Sequence, residues 1–274
     1  MKYIVIVFLA VYYSLGTALA QTDLVKHNYK LFRPTPKDQM RGFETDRPDM
    51  TENAYTIDAG HFQLETDLFK TNRSSVEGIK TIQNSFNVVN LKLGLTNSLD
   101  IQFIAESFVS TKVMDQNSTK TNSAFGNLTI RLKQNIWGND DGKTAFAILP
   151  FIKIPTTSDD KITGGIVLPF AIALSNNWDF GSQFVTALEK NQLLNGYHMN
   201  YLTSATISHP LFVKCDFFSE VSAFRESELK NYEYSVNAGL VYELKENIKL
   251  DSGMYYGLKN TSSKVYFLGL SFRY

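Results

Sequence analysis

The chain has 274 residues, and its 27 basic side chains balance its 27 acidic ones, so the formal net charge is zero. This balance lacks the basic excess of nucleic-acid-binding domains, and we predict no nucleic-acid partner. A single cysteine excludes an intramolecular disulfide framework. With 20 Phe and 14 Tyr against only 7 Pro, the composition favours strands.

The first twenty residues have the features of a cleaved secretory signal. Lys2 gives a basic start, residues 3–15 are apolar but too short to cross a bilayer, and the stretch closes on Ala18-Leu19-Ala20. A membrane anchor is the alternative, but no second apolar segment follows it. We therefore expect a signal peptide over residues 1–20.

Apolar and polar side chains alternate with a period of two along the rest of the chain. In one such run Leu128 and Leu132 share one face, whereas Arg131 and Lys133 lie on the other. Successive side chains of a strand point to opposite faces, whereas a helix would place apolar residues three and four apart. About twelve runs of this kind occur, near residues 60–70, 81–95, 98–110, 124–137, 143–155, 163–175, 177–189, 197–209, 211–225, 231–243, 247–258 and 263–274.

The connections between these runs alternate in length. Tight, turn-type sequences follow the even-numbered runs, at residues 95–98, 138–142, 175–177, 208–210 and 244–247. The connections between them tend to be longer and more polar, as at residues 111–123, 156–163 and 190–196. Membrane barrels place short periplasmic turns on one rim and longer extracellular loops on the other.

This pattern predicts an all-β fold, a transmembrane antiparallel up-and-down β-barrel of about twelve strands. We expect it in the bacterial outer membrane, surrounded by lipid and with both termini in the periplasm. Residues 21–58 would form a periplasmic lead-in or a plug segment, and residues 59–274 the barrel. A soluble barrel with apolar side chains inside is the alternative. The export signal, the number of strands and the aromatic residues near strand ends favour the membrane form.

The last strand resembles the C-terminal signal of outer-membrane proteins. Gly269 precedes two aromatic residues at alternate positions, Phe272 and Tyr274. The resemblance implies that the barrel-assembly machinery pairs with this strand during insertion. An ordinary aromatic edge strand is the alternative.

The lead-in and first strand carry a second resemblance. Residues 43–52 read FETDRPDMTE and lead through residues 55–65, with later echoes at 93–100 and 126–133. This pattern resembles a family of outer-membrane transporters named for the meta-pathway of phenol degradation, over most of the chain from Phe43 to Tyr274. The resemblance implies a transporter-like barrel and identifies no substrate.

The lead-in concentrates charge within nine residues: Glu44, Asp46, Arg47, Asp49 and Glu52. Carboxylates that flank an arginine can form a bidentate ion-pair cluster. Such a cluster would suit a plug or gate facing the lumen. It would equally suit a structured lead-in on the periplasmic rim, with Pro48 ending any helix before it.

The inner wall is also predicted to carry charge, at Glu65, Asp67, Asp100, Gln102, Glu106, Arg131 and Lys133. Runs three and four should be neighbours, so acids and bases would face one another. Opposed charges could narrow the aqueous path, or they could form cross-strand pairs that hold the wall. Twelve strands predict a narrow pore or a closed lumen.

Little in the sequence points to enzyme chemistry. The histidines are His27, His61, His198 and His209, and no spacing, including that of His198 and Ser204, marks a nucleophile with its base. No group has typical metal-ligand spacing, so we predict neither a metal nor another cofactor. The leading prediction is passive passage of an unidentified small solute. A non-conducting structural or ligand-binding barrel comes second, and an outer-membrane lipid hydrolase third.

Overall fold

The computed structural model describes residues 29–140, 142–156, 161–191, 196–228 and 231–274, and the predicted signal peptide lies outside them. Within these ranges there are two short 3-10 turns, Lys37–Gln39 and Ser175–Asn177. The strands are β1 (Phe62–Val76), β2 (Ile79–Thr96), β3 (Leu99–Met114), β4 (Thr119–Ala124), β5 (Leu128–Trp137), β6 (Thr144–Ile154), β7 (Thr163–Ala173), β8 (Asp179–Lys190), β9 (Tyr197–Phe212), β10 (Cys215–Glu226), β11 (Asn231–Lys245), β12 (Ile248–Gly257) and β13 (Lys264–Arg273). No helix in the described ranges is long and apolar enough to span a membrane.

The strands form one closed antiparallel sheet. Apart from β4 and β5, which both pair with β3, each strand pairs with its neighbour in sequence, and β1 pairs with both β2 and β13, which closes the barrel. Both β4 and β5 pair with β3 in the same register, because Val109 lies opposite Ala124 and Ala105 lies opposite Leu128. They are one barrel strand interrupted at residues 125–127. The described residues therefore form twelve barrel strands, which confirms the predicted fold.

The barrel is apolar outside and polar inside. Leu132 and Leu268 are 41% and 46% exposed on the outer wall, whereas Lys133 and Asp100 on the inner wall are 1% and 0% exposed. A water-soluble barrel would bury its apolar side chains instead. This polarity is that of a barrel surrounded by lipid.

Most of the tight turns lie, as predicted, at the rim where β1 begins and β13 ends. The turn predicted at residues 208–210 is wrong, because β9 continues to Phe212 and the chain turns at residues 213–214. Pro210 is tolerated within the strand because β8 pairs with β9 only as far as Ser208. Its missing N–H therefore breaks no bond to β8.

Two hairpins extend beyond their predicted ends. β1 and β2 continue to a turn at residues 77–78, and β3 and β4 pair from Val109 to Thr119, where a loop was predicted over 111–123. All six side chains of β4 are exposed, so this strand lacks the apolar face by which strands are predicted. Its polar hairpin was therefore taken for a loop.

One residue of β2 changes the face on which apolar side chains lie. Phe86 and Leu91 are five residues apart, an odd number, yet both are exposed on the outer wall. Between them Asn87 has a φ of 50°, in the left-handed region that asparagine tolerates. Because of this left-handed residue, the apolar side chains on both sides of Asn87 point outward.

Candidate functional site

Residues 46–57, which we call the lumen segment, lie inside the barrel. They form hydrogen bonds with side chains on β1, β2, β3, β5, β8, β9, β10 and β12. Partners on eight strands around the circumference place this segment across the lumen. The charges predicted on the lead-in and those predicted on the inner wall thus meet in one site.

Asp46 is the centre of the largest ionic cluster. Lys133 Nζ lies 2.6 Å from its Oδ1, and Lys92 Nζ donates to its Oδ2 as well as to Glu65. Burial raises the pKa of the Asp46 carboxyl, but Lys133, Lys92 and Arg131 outweigh burial and hold that pKa well below its ordinary value. Asp46 is therefore an anion, and its attachment to two different strands is charge-assisted.

Arg47 binds two carboxylates on opposite sides of the closing strand β13. Its Nη1 lies 2.5 Å from Asp67 Oδ1 on β1, and Nη2 and Nε donate to both oxygens of Asp251 on β12, at 2.6 and 3.1 Å. The guanidinium also lies over the Phe267 ring, 5.6 Å from its centroid. Despite its burial, these acceptors raise the pKa of Arg47, so the side chain stays charged. The Arg47–Pro48 peptide bond is cis.

Glu220 on β10 binds the middle of the lumen segment. Its carboxylate accepts bonds from the backbone N–H groups of Met50 at 3.0 Å and Thr51 at 2.8 Å, and from the Thr51 hydroxyl at 2.6 Å. Asn237 Nδ2 donates a fourth bond at 2.6 Å. One buried acid thus satisfies two backbone donors that would otherwise be unpaired away from water.

Two further acids of the segment lie near other carboxylates. Burial and the neighbouring Glu220 raise the pKa of the Asp49 carboxyl well above its ordinary value. Glu52 accepts a bond from Arg131, and burial raises its pKa despite that partner. The lumen therefore holds Asp49, whose ionised form is disfavoured, together with Asp46, whose ionised form is stabilised by its basic partners.

The lead-in is also attached at the rim. The two ring nitrogens of His61 lie beside backbone carbonyl oxygens, Nε2 at 2.7 Å from that of Thr35 and Nδ1 at 3.2 Å from that of Tyr274. Arg41 Nε donates to Asp58 Oδ1 at 2.7 Å, and Arg273 Nη1 donates to the Arg41 carbonyl at 2.8 Å. These contacts attach the chain to the rim both before and after the lumen segment.

The wall formed by β6, β7 and β8 has a different character. Ala147, Leu149 and Val167 are buried there against Ala54 of the lumen segment. Here the segment packs by apolar contact instead of ionic contact. The site therefore has a charged half and an apolar half.

Open space remains on both sides of the lumen segment. A cavity of about 230 Å³ lies between the segment and the wall near Gly181 and Phe218. A second cavity of about 270 Å³ lies at the opposite mouth, bordered by Lys153, Lys161 and Glu189. The two share no lining residue.

The predicted inner-wall residues have different roles in this structure. Asp100 lies opposite Lys133 in the β3–β5 register, yet its carboxylate accepts bonds from Ile57 N and Gln102, while Lys133 contacts Asp46. Asp100 and Lys133, which were expected to pair with each other across the wall, thus bind the lumen segment instead.

Two of the predicted residues lie at the edge of the site. The Glu44 side chain is exposed, and its backbone carbonyl accepts a bond from Gln63. Glu106 faces the interruption between β4 and β5, where it accepts a bond from Asn127 N at 3.4 Å.

Sequence reasoning missed Lys92, Glu220 and Asp251. Each is a charged residue on the polar face of a run whose other face is apolar, and this pattern was the available signal. Without their partners in the lumen segment, such residues resemble any polar position of an inner wall.

The aromatic residues of the predicted assembly signal lie at the seam of the barrel. Tyr274 stacks on Phe62 with ring centroids 5.3 Å apart, and Phe272 packs edge-on against Phe62 at 6.3 Å. Gly269, the third residue of the motif, lies beneath Arg47.

The closed twelve-strand sheet with its inverted polarity defines the class of protein: a bacterial outer-membrane β-barrel. The chain belongs to the family described as "Putative MetA-pathway of phenol degradation", whose model matches residues 45–274. Among curated proteins, none resembles the chain in sequence.

Solved structures with this fold include channels and porins. The COG4313 outer membrane channel from Pseudomonas putida F1 superposes with a TM-score of 0.58 at 11% identity, covering 84% of this chain and 100% of that one. The NanC porin gives a TM-score of 0.51, also at 11% identity, covering 76% of this chain and 98% of that one. At such low identity the likeness is one of fold.

Proposed function

We propose that this protein is an outer-membrane channel for passive passage of small solutes, and that the lumen segment is its gate. The observation that carries the proposal is the ionic attachment of a chain segment across a polar lumen with open space on both sides. A purely structural barrel has no need of a removable obstacle. The channel and the porin of similar fold support this proposal.

The proposal includes the orientation of the barrel in the membrane. The rim where β1 begins and β13 ends would face the periplasm, and lipid would contact the exposed outer wall. Gly269, Phe272 and Tyr274 would be presented to the barrel-assembly machinery before β13 pairs with β1. No enzymatic step is proposed, since His198 contacts Asn191 and Glu228, whereas Ser204 bonds to Thr51.

Single-channel recording in planar bilayers tests the gate. Arg47→Ala leaves two buried carboxylates without their guanidinium partner. Removal of one partner from a buried ion pair costs about 3–5 kcal/mol. We expect this variant to conduct more, or to be open for a larger fraction of time, than the parent protein. Arg33→Ala is the matched control, because Arg33 is an exposed arginine of the same lead-in.

The extent of the network also favours a second candidate, a barrel that does not conduct. Equal conductance of Arg47→Ala, Arg33→Ala and the parent would contradict the gate. Absence of any conductance, in all three proteins and in a variant with Asp46, Arg47 and Glu52 replaced together, would support the non-conducting barrel.

A further inference from the structure

Basic side chains lie in one row across the outer wall, near the rim opposite the lead-in. In the strand register Arg73 on β1 lies directly opposite Lys264 on β13. On its other side Arg73 lies opposite Ile82 on β2, which in turn lies opposite Lys112 on β3. Lys80, two residues from Ile82 on β2, adds a fourth cation closer to the rim. We call Arg73, Lys80, Lys112 and Lys264 the outer basic patch.

The outer basic patch borders the lipid-facing surface. Lys264 lies opposite the exposed Tyr256 in the β12–β13 register, and its Nζ is 4.8 Å from the centroid of that ring. Aromatic side chains lie four residues below the row on three adjacent strands: Phe69 on β1, Phe86 on β2 and Phe108 on β3. Their rings are in contact, with centroids 5.3 and 6.1 Å apart. Cations above a band of exposed apolar rings match a lipid with an anionic head group.

The charge of the patch has no counterpart on the protein. Like charges directly opposite each other on neighbouring strands destabilise a sheet, yet Arg73 and Lys264 are paired in this way. Among the residues that the structure describes, none of the four cations forms a salt bridge. Of the acids in the adjoining turns, Asp115 bonds to the backbone of its own turn, and Glu77 has no salt bridge either. An anion from outside the chain would remove the repulsion.

The width of the patch indicates what kind of anion fits. Neighbouring strands are about 4.8 Å apart, so the three steps from Lys264 on β13 to Lys112 on β3 span roughly 14 Å. Charge-assisted hydrogen bonds to phosphate are about 2.7–2.9 Å long, so one phosphate group cannot reach the whole row. A head group with two separated phosphates can.

The position of the patch selects the lipid, and this step rests on the proposed orientation of the barrel. In that orientation the patch lies at the extracellular side of the membrane. The outer leaflet of a bacterial outer membrane contains lipopolysaccharide, whose lipid A is a bisphosphorylated glycolipid. We propose that the outer basic patch binds the phosphate groups of lipid A, with acyl chains lying along Phe69, Phe86 and Phe108. Arg73 can bind a phosphate through two parallel hydrogen bonds, and the lysines act as point charges.

Native mass spectrometry of the refolded protein in detergent, titrated with bisphosphorylated lipid A, tests the proposal. We expect one lipid A per chain, with affinity at least tenfold weaker in the double variant Arg73→Gln with Lys264→Gln. Dephosphorylated lipid A and phosphatidylglycerol should each bind the parent at least tenfold more weakly than lipid A does. Inorganic phosphate should not displace lipid A. Added NaCl should weaken binding, because salt screens exposed charges.

The matched control is Arg225→Gln. Arg225 is exposed at the same rim and lies over an aromatic ring, that of Tyr232, but it is on β10, away from the patch. This variant should bind lipid A as the parent does, and heat-modifiable migration on gels checks that every variant is folded. Equal affinity for lipid A in the parent and the folded double variant would overturn the proposal. So would phosphatidylglycerol binding as tightly as lipid A.

Two further measurements separate this proposal from the proposed function. Asn117→Cys, in the exposed β3–β4 turn, should react with a membrane-impermeant maleimide on intact cells, whereas the native Cys215 is buried. Reaction only after lysis would overturn the orientation and the lipid A site together. The double variant should keep the single-channel conductance of the parent, since the patch lies outside the lumen. Loss of lipid A binding and failure of the gate are therefore recorded independently.

Discussion

The Arg47 guanidinium occupies the space that a side chain at Gly269 would fill. A Cβ built on Gly269 would lie 2.0 Å from Arg47 Nη2 and 2.5 Å from its Cζ. No two such atoms can approach so closely. The absence of a side chain on β13 is therefore what lets Arg47 reach Asp67 and Asp251 on the strands to either side.

Gly269→Ala should consequently displace Arg47 and loosen the lumen segment. We expect higher single-channel conductance and a lower thermal unfolding midpoint. Gly42→Ala is the control, because the nearest atom to its Cβ would be 3.9 Å away.

The double variant Arg47→Ala with Gly269→Ala separates this effect from a defect in assembly. With the guanidinium gone, the added methyl group meets no obstacle, so the double variant should behave like Arg47→Ala alone. Independent effects that add would contradict the steric explanation.

The lumen segment should respond to pH through two acids with opposite shifts. The lowered pKa of Asp46 means that its ionised form stabilises the docked segment above the ordinary value of 3.8, and that this is lost as the pH falls through the lowered pKa. The raised pKa of Asp49 means that its ionised form destabilises docking above that raised value, with no such penalty below 3.8.

Asp46→Asn should therefore lower the free energy of unfolding at neutral pH, by about 3–5 kcal/mol as for a broken buried pair. Asp49→Asn should raise the free energy of unfolding there and leave it unchanged at acidic pH. Urea unfolding between about pH 3 and pH 8 measures both variants. Shifts of the same sign in the two variants at neutral pH would show that these opposite roles are misassigned.

Glu220→Gln tests the attachment of the backbone. The amide of glutamine has one acceptor oxygen, so a backbone N–H of Met50 or Thr51 loses its partner, at a cost of about 1–3 kcal/mol. Hydrogen exchange of a peptide covering residues 46–55 should speed up in this variant. Glu246→Gln, on an exposed turn, should exchange like the parent. Identical exchange in both variants would mean that Glu220 does not hold the segment.

The barrel could be predicted because lipid imposes a regular pattern. Most outward positions in contact with lipid are apolar, and runs such as residues 128–137 show this directly. The pattern disappears where the strands leave the membrane, and this explains why β4 was taken for a loop. Pro210 led to the opposite error: it predicted a turn, but the pairing with β8 ends before it, so the chain stays extended there.

The lumen was less predictable because its contacts join residues with no periodic relation. The sequence identified Asp46 as one member of a cluster of charges, but it left open whether that cluster lay at the rim of the barrel or inside the lumen. Lys92 and Glu220 carry no local sign of their partners, which lie 46 residues before Lys92 and 169 before Glu220. Only the closed barrel brings these groups together.

That dependence bears on the order of assembly. Arg47 joins Asp67 on β1 to Asp251 on β12, and the strand between them, β13, is the last to be made and completes the ring. Before β13 is inserted, the two carboxylates have no fixed separation and Arg47 cannot hold both. The lumen segment can therefore bind both carboxylates only in a barrel that has already closed, so an unclosed barrel would hold this segment loosely.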